Sequence, residues 1–483
     1  GTSQLELTAS HSSTTTTLQA SSTSGGSTTV NAYRIHLPKV PIGTTYTEID
    51  SITQSSKQAA SYIAVTKQTD NKSQIDDISV VADAAAAYNV RVAINSDSSS
   101  ADLVNWTKRS ILNPKDTYIG KDFTRCWATD VAYRNGKYYW YFSEGNQQTG
   151  VVVGDSPVGP WKDPLGKPLL TSELTPTDEY DMAIFEDDGE HYIIFGVWEY
   201  YIAKLNSDMI SLAEEPKKII INNPRGPYNQ DGKNLEKPTD DKPFVHKYNG
   251  KYYLSWGCFY AMSDHLYGPY DYKDSVIKEE SFAKEYDAPT WPNGFLQGRH
   301  GSFFEWNNQW YYTYCDISQT GNRYFRDTFI SYVHYKKNGE MATIRVDGDG
   351  VANYNGDKKI EAEDFFKAEG IQKIETTSGF AIVTNANKSY VNYPNIKSLD
   401  NKTKLSLHVR TPKGGTFVIR IKKNTLNGVT IARKEINLKA SEGQKNTKII
   451  LNLTPLEDKE NLYFLIEHIT DNHLQIDSFS FLK

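Results

Sequence analysis

One short pattern occurs four times in the middle of this 483-residue chain and limits its fold more than any other feature. Each copy is a strand, a two-residue turn of Asn-Gly, Asp-Gly or Asn-Asn, and a second strand rich in aromatic residues. This pattern is the strongest short-range signal of a β-hairpin. The turns recur at roughly 50 to 60 residues, so they predict the stacked sheets of a β-propeller. The copies read RNGKYYWYFS from Arg134, DDGEHYIIFG from Asp187, YNGKYYLSWG from Tyr248 and WNNQWYYTYC from Trp306.

Three residues that can carry chemistry stand shortly before the turns of the third, fourth and fifth predicted blades: Asp181, Asp241 and His300. The innermost strand of each propeller blade starts beside the central channel, so equivalent positions in successive blades converge on one axis. The spacing therefore predicts that these three side chains meet.

The composition excludes some partners and favours one. A net charge of −6 is close to neutral for this length and implies no nucleic-acid or anionic-membrane partner. The 32 Tyr, 19 Phe and 9 Trp stand out in a polar chain of mean hydropathy −0.59. Aromatic faces stack on sugars, which favours a carbohydrate ligand; the alternative is that the rings fill β-strands. Neither reading is decided by composition.

The cysteines and the apolar segments add further exclusions. Cys126, Cys258 and Cys315 show no Cys-x-x-Cys spacing and are expected to be buried thiols. No apolar run approaches the length of a membrane span, and the N-terminus lacks a signal-peptide pattern, so we expect a soluble chain, mature or trimmed.

The chain divides into three regions. Residues 1–30 are rich in Ser, Thr and Gly and are predicted to be a flexible tail. Residues 31–354 hold the repeats and are predicted to form a five-bladed propeller. Residues 355–483 lack the aromatic hairpin and carry short alternating strands, which predict a β-sandwich of the jelly-roll type.

Several motifs occur in the order found in one known family. ADLVNW, CWATDVAYRNGKYYWYFS, GDSPVGPW, FEDDGEHYIIFG and KPFVHKYNGKYYLSWG together resemble glycoside hydrolase family 43. Its members are five-bladed propellers that hydrolyse arabinofuranosides, xylosides and related sugars. IEAEDFF and IDSFSF near the ends of the last region are similar to a family 6 carbohydrate-binding module.

The resemblance implies inversion at the anomeric carbon by a base, a general acid and a third carboxylate that positions the acid. An inverting acid and base stand about 6.5 to 9.5 Å apart so that a water fits between the base and the sugar. Asp181 matches the positioning carboxylate; the alternative is an Asp bonded to backbone at a strand start. Asp50 in EIDSITQ best matches the base, with Asp77 as its rival, although Asp76 and Asp77 also fit a paired-acid element of the family. Neither has the Pro that usually follows.

The acid shows the largest departure from the family pattern. The family has Glu-Gly-Pro where this chain has Asp241-Lys242-Pro243, and aspartate is one methylene shorter. Glu236, in the preceding loop, is the alternative acid. Asp240 and Asp241 could also be ordinary loop residues.

The resemblance implies further contacts with the sugar. His300 matches a histidine at the axis, close to substrate and to a bound cation or water; a hydrogen-bonded core His is the alternative. Arg326 matches a substrate-binding arginine, with Arg323 as its rival and a surface salt bridge as the alternative for both. A sugar platform is expected from Trp127, Trp198 and Trp291, unless these rings pack between blades.

In the last region, Glu361, Glu363 and Asp477 resemble the structural calcium site of the module family, and solvated surface acids are the alternative. Tyr390 stands where such modules place a ring against sugar. A second ring for this contact is not evident in the sequence.

Two functions follow from these features. The leading one is a secreted or periplasmic glycosidase that needs no organic cofactor. It would remove terminal pentose or galactose-type residues from plant cell-wall polysaccharide, with calcium as a candidate structural ion. The rival is a noncatalytic glycan-binding propeller, favoured by the missing Asp-Pro and by Asp241 in place of Glu. Acids at three blade starts favour the enzyme.

Overall fold

A computed structural model of the protein describes residues 5–12, 15–22, 63–64, 96–99, 102–123, 126, 128–226, 239–283, 299–316, 327–440, 446–470 and 472–483. In these residues the regular structure is β-strand, with two short 3-10 turns at Pro114–Asp116 and Glu279–Ser281. The predicted all-β class is confirmed. No helix in this part of the chain has the length and hydrophobicity needed to cross a bilayer.

Four sheets, antiparallel except for one edge strand of the fourth blade, follow one another along the chain and correspond to the second to fifth predicted blades. The second blade contains Asp130–Arg134, Lys137–Glu144, Gln148–Gly154 and Trp161–Lys162. The third contains Ala183–Asp187, Glu190–Phe195, Tyr201–Lys204 and Lys217–Lys218. The fourth contains Pro243–Tyr248, Lys251–Trp256, Phe259–Ser263 and Tyr270–Ser275, with Ile221–Asn222 at its edge; the fifth contains Arg299–Trp306, Gln309–Asp316 and Asp327–Val333.

The first strands of these sheets contact one another in sequence, as the inner strands of a propeller do. Asp130–Arg134 contacts Ala183–Asp187, which contacts Pro243–Tyr248, which in turn contacts Arg299–Trp306. Residues at the starts of these strands are therefore close in space although they are far apart in the chain.

The hairpin turns have the backbone that their residues predict. Both central residues have positive φ in all four turns: Asn135 and Gly136, Asp188 and Gly189, Asn249 and Gly250, Asn307 and Asn308. Positive φ at both positions defines the type I′ turn, whose twist matches that of the flanking strands. Asn, Asp and Gly tolerate this conformation best, which is why these dipeptides revealed the repeats.

Much of the aromatic content is core. Tyr253, Trp256, Tyr260 and Tyr312 are at most 1% exposed and belong to one hydrophobic cluster that spans the third to fifth blades. The alternative that aromatic rings fill the β-strands is therefore correct for these four residues. Cys126 and Cys258 are buried, and Cys315 is half-buried.

The described strands before the second blade are Leu5–Ser12, Thr15–Ser22, Ile63–Ala64, Ser96–Ser99 and Thr107–Ile111. Leu5–Ser12 pairs antiparallel with Thr15–Ser22 and parallel with Ile63–Ala64. A hairpin thus stands where the composition predicted a flexible tail. Thr is a good strand former, so a polar segment rich in Thr can form strands although it has little to bury.

Two six-stranded sheets form the C-terminal β-sandwich. Their buried faces share one hydrophobic cluster that includes Tyr393, Phe417, Leu462 and Phe479. The first sandwich sheet contains Tyr354–Asn355, Lys367–Glu369, Lys388–Lys397, Gly415–Lys423, Thr430–Leu438 and Glu460–His468. The second contains Ile360–Glu361, Ile371–Thr376, Gly379–Thr384, Lys404–Arg410, Thr447–Asn452 and Gln475–Leu482.

A network of polar side chains, here called the seam, joins the fifth blade and the segment after it to the sandwich; it consists of Gln309, His334, Arg345, Asp364 and Lys373. Asp364 is 3.3 Å from Arg345 Nη1 and 2.9 Å from His334 Nε2. The Lys373 ammonium donates to Gln309 Oε1 at 2.5 Å, to the Val333 carbonyl at 2.9 Å and to His334 Nδ1 at 3.1 Å. The seam charges are therefore matched by partners across the two regions.

Burial and neighbouring charge set the protonation of the seam. Burial lowers the pKa of His334 to about 4, so its ring is neutral at pH 7. Because Lys373 donates to Nδ1, Nε2 carries the ring proton and donates to Asp364. Burial also lowers the pKa of Lys373 to about 8, opposed by Asp364.

Candidate active site

The same unusual backbone recurs at the start of three consecutive blades. Asp181, Lys242 and His300 have φ of 55°, 55° and 52°, in the left-handed region that side chains with a Cβ rarely adopt. Such residues cluster at functional sites, where the surrounding structure holds them in place. The repeat of one conformation at three equivalent positions marks this end of the blades as the candidate site.

Asp181, Asp241 and His300, here called the axial site, come together as the propeller pattern predicts. His300 Nε2 is 3.2 Å from Asp241 Oδ1, and His300 Nδ1 is 3.9 Å from Asp181 Oδ2. The side chain of Asp181 is 1% exposed, that of Asp241 18% and that of His300 17%. The imidazole therefore stands between a buried carboxylate and one that solvent reaches.

The fifth blade presents His300 through an irregularity of its first strand. The strand register shifts between Arg299 and Ser302, so His300 and Gly301 form a bulge. A Cβ at Gly301 would lie 2.1 Å from the ring of Tyr312, so only glycine fits there. Bulges of this kind redirect a side chain beside an active site.

The second blade helps to place Asp181. The Asp181 amide donates to Ser143 Oγ at 3.1 Å, and that hydroxyl donates to the Ala128 carbonyl at 3.3 Å. Both Ala128, with φ of 26°, and Asp181 have positive φ. The starts of two neighbouring blades are thus tied through one serine.

Hydrogen bonds from the third blade hold the chain just before Asp241. Trp198 donates from its amide to the Asp240 carbonyl at 3.3 Å, and the Tyr200 hydroxyl donates to the same carbonyl at 2.7 Å. Thr239 Oγ1 donates to the Trp198 carbonyl at 2.5 Å. Trp198 is half-buried, so this predicted platform residue lies beside the loop that carries Asp241.

Two charged residues that the sequence analysis did not single out complete this region. Lys242 is 4% exposed, and its ammonium donates to the Met182 carbonyl. Asp130, at the start of the second blade, accepts from the Ile184 and Val131 amides at 2.8 Å each. Burial lowers the pKa of Lys242, while the charges of Asp130 and Asp181 oppose that shift. Burial likewise raises the pKa of Asp130, opposed by Lys242.

Several predicted site residues lie outside the described residues. These are the base candidates Asp50 and Asp77 with Asp76, the alternative acid Glu236, the arginines Arg323 and Arg326, and the platform residues Trp127 and Trp291. Their roles stay predictions.

The axial site also has the donor set of a cation site. One ligand atom from each of Asp181, Asp241 and His300 lies within 4.8 Å of the others, the only such group of three or more in the described part of the chain. Since these carboxylates are this close, they are too near each other to be an inverting acid and base, which need about 6.5 to 9.5 Å. The geometry suits an acid and a carboxylate that positions it.

The predicted calcium ligands of the sandwich lie near one another. Glu363 Oε2 is buried and has no hydrogen-bond partner among the described residues. Burial, together with Asp364, Glu361 and Asp477, holds the pKa of Glu363 well above its usual range. Lys359 bonds Glu361 Oε1 at 2.5 Å. A buried carboxylate oxygen among other acids suits a hard cation. The ligand atoms of Glu361, Glu363 and Asp477 do not all lie within 4.8 Å of one another, as those of the axial site do, so calcium here stays a prediction.

The sandwich also shows the second ring that the sequence did not reveal. Tyr390 and Tyr463 are half-buried on neighbouring strands of the first sandwich sheet, with ring centroids 6.1 Å apart. Their pairing depends on strand register, because Tyr463 stands opposite Asn392 and diagonal to Tyr390. Residues 73 positions apart in the chain give no local signal for such a pair.

Curated relatives carry related names. The chain is 28% identical over 382 residues to an arabinoxylan arabinofuranohydrolase of Paenibacillus polymyxa, a match that covers 68% of this chain and 57% of that protein. It is 28% identical over 262 residues to a xylosidase/arabinosidase of Bacteroides ovatus, covering 45% of this chain and 73% of that protein. The chain thus spans little more than half of the first of these proteins.

Solved structures of similar proteins include an arabinoxylan arabinofuranohydrolase of family 43 from Bacillus subtilis in complex with cellotetraose. It has a TM-score of 0.44 and 20% identity, and the match covers 94% of this chain and 96% of that one. A family 6 carbohydrate-binding module from Clostridium stercorarium in complex with cellobiose has a TM-score of 0.24 and 17% identity, covering 27% and 97%.

The model of one family matches most of the predicted propeller. The description of that family is "Glycosyl hydrolases family 43", and the match covers residues 93–341, more than half of the chain. The resemblance inferred from the hairpin motifs is therefore confirmed, and with it the class of enzyme. The chain belongs to glycosyl hydrolase family 43.

Proposed function

We propose that this protein is an inverting, exo-acting glycoside hydrolase that removes terminal arabinofuranose, xylose or galactose-type residues from the side chains of plant cell-wall polysaccharide. The observation that carries the proposal is the axial site, where two carboxylates from separate blades flank one imidazole. The names of the curated relatives support a pentose as the sugar removed.

The geometry supports different tasks for the two carboxylates. Asp241 is the one that solvent reaches, so it can protonate the departing glycosidic oxygen. Asp181 is buried beside it, and two carboxylates this close favour a proton on one of them. Water attacks the anomeric carbon from the opposite face, and a base there removes the water proton. The sequence offers Asp50 as that base, and Glu236 is retained as the alternative acid.

Hydrolysis of a panel of aryl arabinofuranosides, xylosides and galactosides tests the activity. We expect release of the aryl alcohol from at least one substrate, and its loss in Asp181→Asn and Asp241→Asn with sugar binding intact. Full activity of Asp241→Asn would move the acid to Glu236. Sugar binding without hydrolysis of any substrate would favour the noncatalytic alternative.

The stereochemistry and the base have their own tests. Proton NMR of the first product identifies the anomer, and an inverting enzyme gives the opposite configuration to that of the substrate. Retention would contradict the proposal. A fully active Asp50→Ala variant would place the base at Asp77 or elsewhere.

The sandwich is proposed to hold polysaccharide through Tyr390 and Tyr463. The two rings give an apolar surface with polar edges, as stacking on sugar requires. Tyr390→Ala and Tyr463→Ala should each weaken binding to insoluble arabinoxylan about fivefold while leaving hydrolysis of aryl glycosides unchanged. Unchanged polysaccharide binding would leave the sandwich a structural role only. Because the polymer lies outside the cell, a secreted or periplasmic location is part of the proposal.

A further inference from the structure

Lys242 is the residue of this region that the proposed chemistry leaves unused. It follows Asp241 directly, and its side chain is buried between the starts of the second, third and fourth blades. Its ammonium donates to the Met182 carbonyl, one residue after Asp181. The charges of Asp130 and Asp181 both act on it. One buried cation therefore connects residues from three blades.

The backbone conformation of Lys242 and the burial of its ammonium are each unfavourable. Its φ of 55° is disfavoured for a residue with a Cβ, and removal of an ammonium from water costs free energy unless partners compensate. Residues that keep such a combination are held by their surroundings and cluster where the chain has a function. Ordinary packing would be served better by a small or apolar side chain at this position.

The contacts of the Lys242 ammonium show which part of the backbone near Asp181 it can hold in place. The bond to the Met182 carbonyl holds the peptide between Met182 and Ala183, one residue beyond Asp181, while the Ser143 hydroxyl accepts from the Asp181 amide on the other side. The backbone around Asp181 is thus held on both sides. Ser143 of the second blade bonds it before the Asp181 Cα, and Lys242 of the fourth blade bonds it after. With φ of 55° at Asp181, small rotations of these peptides would swing its carboxylate away from His300.

We propose that Lys242 is a positioning residue of the hydrolase: its ammonium fixes the backbone and the charge of Asp181, so that this carboxylate faces His300 and Asp241. The inference rests on the proposed function. Lys242 itself, at 4% exposure, does not touch the sugar. The simpler alternative is that Lys242 only neutralises the half-buried Asp130.

Three variants separate these two roles. Lys242→Met keeps the length of the side chain and removes its charge. Lys242→Met combined with Asp130→Asn removes both members of the Asp130 pair and restores the charge balance. Lys402→Met is the matched control, because Lys402 is likewise buried, at 9% exposure, and bonds a carboxylate, Asp357 at 2.6 Å, but lies in the sandwich.

We expect Lys242→Met to lower kcat about 100-fold with KM within about threefold, since a misplaced catalytic group affects the transition state and not substrate binding. The double variant should regain the melting temperature of the wild type but not its kcat. Lys402→Met should lose melting temperature only. Recovery of kcat together with the melting temperature would overturn the proposal and leave Lys242 as a counter-ion of Asp130.

A measurement without substrate keeps the inference independent of the proposed activity. In urea unfolding, Lys242→Met should lower the midpoint less in an Asp181→Asn background than in the wild type, because the partner charge is already gone. Additive midpoints would overturn the link between Lys242 and Asp181. A wild-type protein inactive on every glycoside would contradict the proposed function, and the unfolding cycle would still decide the inference.

Discussion

The axial site and the seam both bury charged side chains, but they differ in their backbone. At the axial site, Asp181 and His300 stand in the left-handed region, as does Lys242 beside them. In the seam, none of Gln309, His334, Arg345, Asp364 and Lys373 has a positive φ. The seam charges are also matched at ordinary hydrogen-bond distances, from 2.5 Å to 3.3 Å.

This difference teaches how to tell a structural charge cluster from a functional one. Burial occurs in both, and the pKa values of Lys242 and Asp130 beside the axial site are shifted, as are those of His334 and Lys373 in the seam. Neither property alone therefore identifies a site. Of these two regions, only the axial site has strained backbone at equivalent positions of successive blades. We therefore expect changes in the seam to affect stability and changes at the axial site to affect turnover.

The largest expected effect is the loss of turnover in Asp181→Asn. This change removes a carboxylate that is 1% exposed and keeps its shape, so kcat/KM should fall about 1,000-fold while the melting temperature changes little. Kinetics on an aryl arabinofuranoside and thermal unfolding measure the two quantities. A variant that unfolds early but turns over normally would reverse the comparison.

Next in size is the effect of Asp364→Asn on the seam. It leaves Arg345 and Lys373 without their shared charge. Loss of one partner of a fully buried ion pair costs about 3 to 5 kcal/mol, and the loss here should lie at the lower end because the Arg345 side chain is 43% exposed and solvent screens its charge. Urea unfolding should show this loss, whereas kcat at 25 °C should stay within about threefold of the wild type. A comparable loss of kcat in the folded variant would show that the seam also serves catalysis.

A decrease in pH should lower the stability of the folded protein through His334 of the seam. The pKa of this ring is about 4 in the folded protein because of burial, against about 6.5 when unfolded. Between these values the unfolded chain binds a proton that the folded protein does not, so stability falls as pH decreases from 6.5 to 4. The full effect is about 3 kcal/mol.

The melting temperature measured across this pH range tests the assignment. His334→Gln should flatten the slope in part, since burial also lowers the pKa of His246 to about 3 and that ring adds a slope of the same sign. His246→Gln is the matched variant with an intact seam. An unchanged slope in His334→Gln would mean that the ring is already protonated in the folded protein.

The smallest expected effect concerns a third charge cluster, the acids Glu361, Glu363 and Asp477. If calcium occupies them, addition of the ion at about 100 times its Kd stabilises the fold by about 2.7 kcal/mol, a rise of a few degrees in melting temperature. Glu363→Gln should abolish the rise and leave kcat unchanged. A rise that persists in this variant would place the ion elsewhere, and the axial site would be the next candidate.

The sequence predicted those parts of the fold that local chemistry determines. The Asn-Gly and Asp-Gly turns require positive φ at both positions, so they revealed the hairpins, and their period revealed the stacked sheets. Convergence of inner strands then brought Asp181, Asp241 and His300 together in the prediction. The blade count of five and the three region boundaries stay predictions.

The parts that the sequence did not reveal depend on register and burial. Lys242 stands where the family pattern has glycine, but lysine is ordinarily a surface residue, so the sequence does not indicate that its side chain is buried. Asp130 matters through its backbone partners in another blade. The seam joins partners that are 19 to 64 positions apart. The pairing of Tyr390 with Tyr463 likewise needs strand register.

The backbone shared by Asp181, Lys242 and His300 has a consequence for protein engineering. At each of the three, glycine would adopt the same conformation without a Cβ and relieve about 1 kcal/mol. A library selected for heat resistance alone would drift towards glycine there and erase a carboxylate, an ammonium and an imidazole together. Directed evolution of this scaffold therefore has to score product formation in every round.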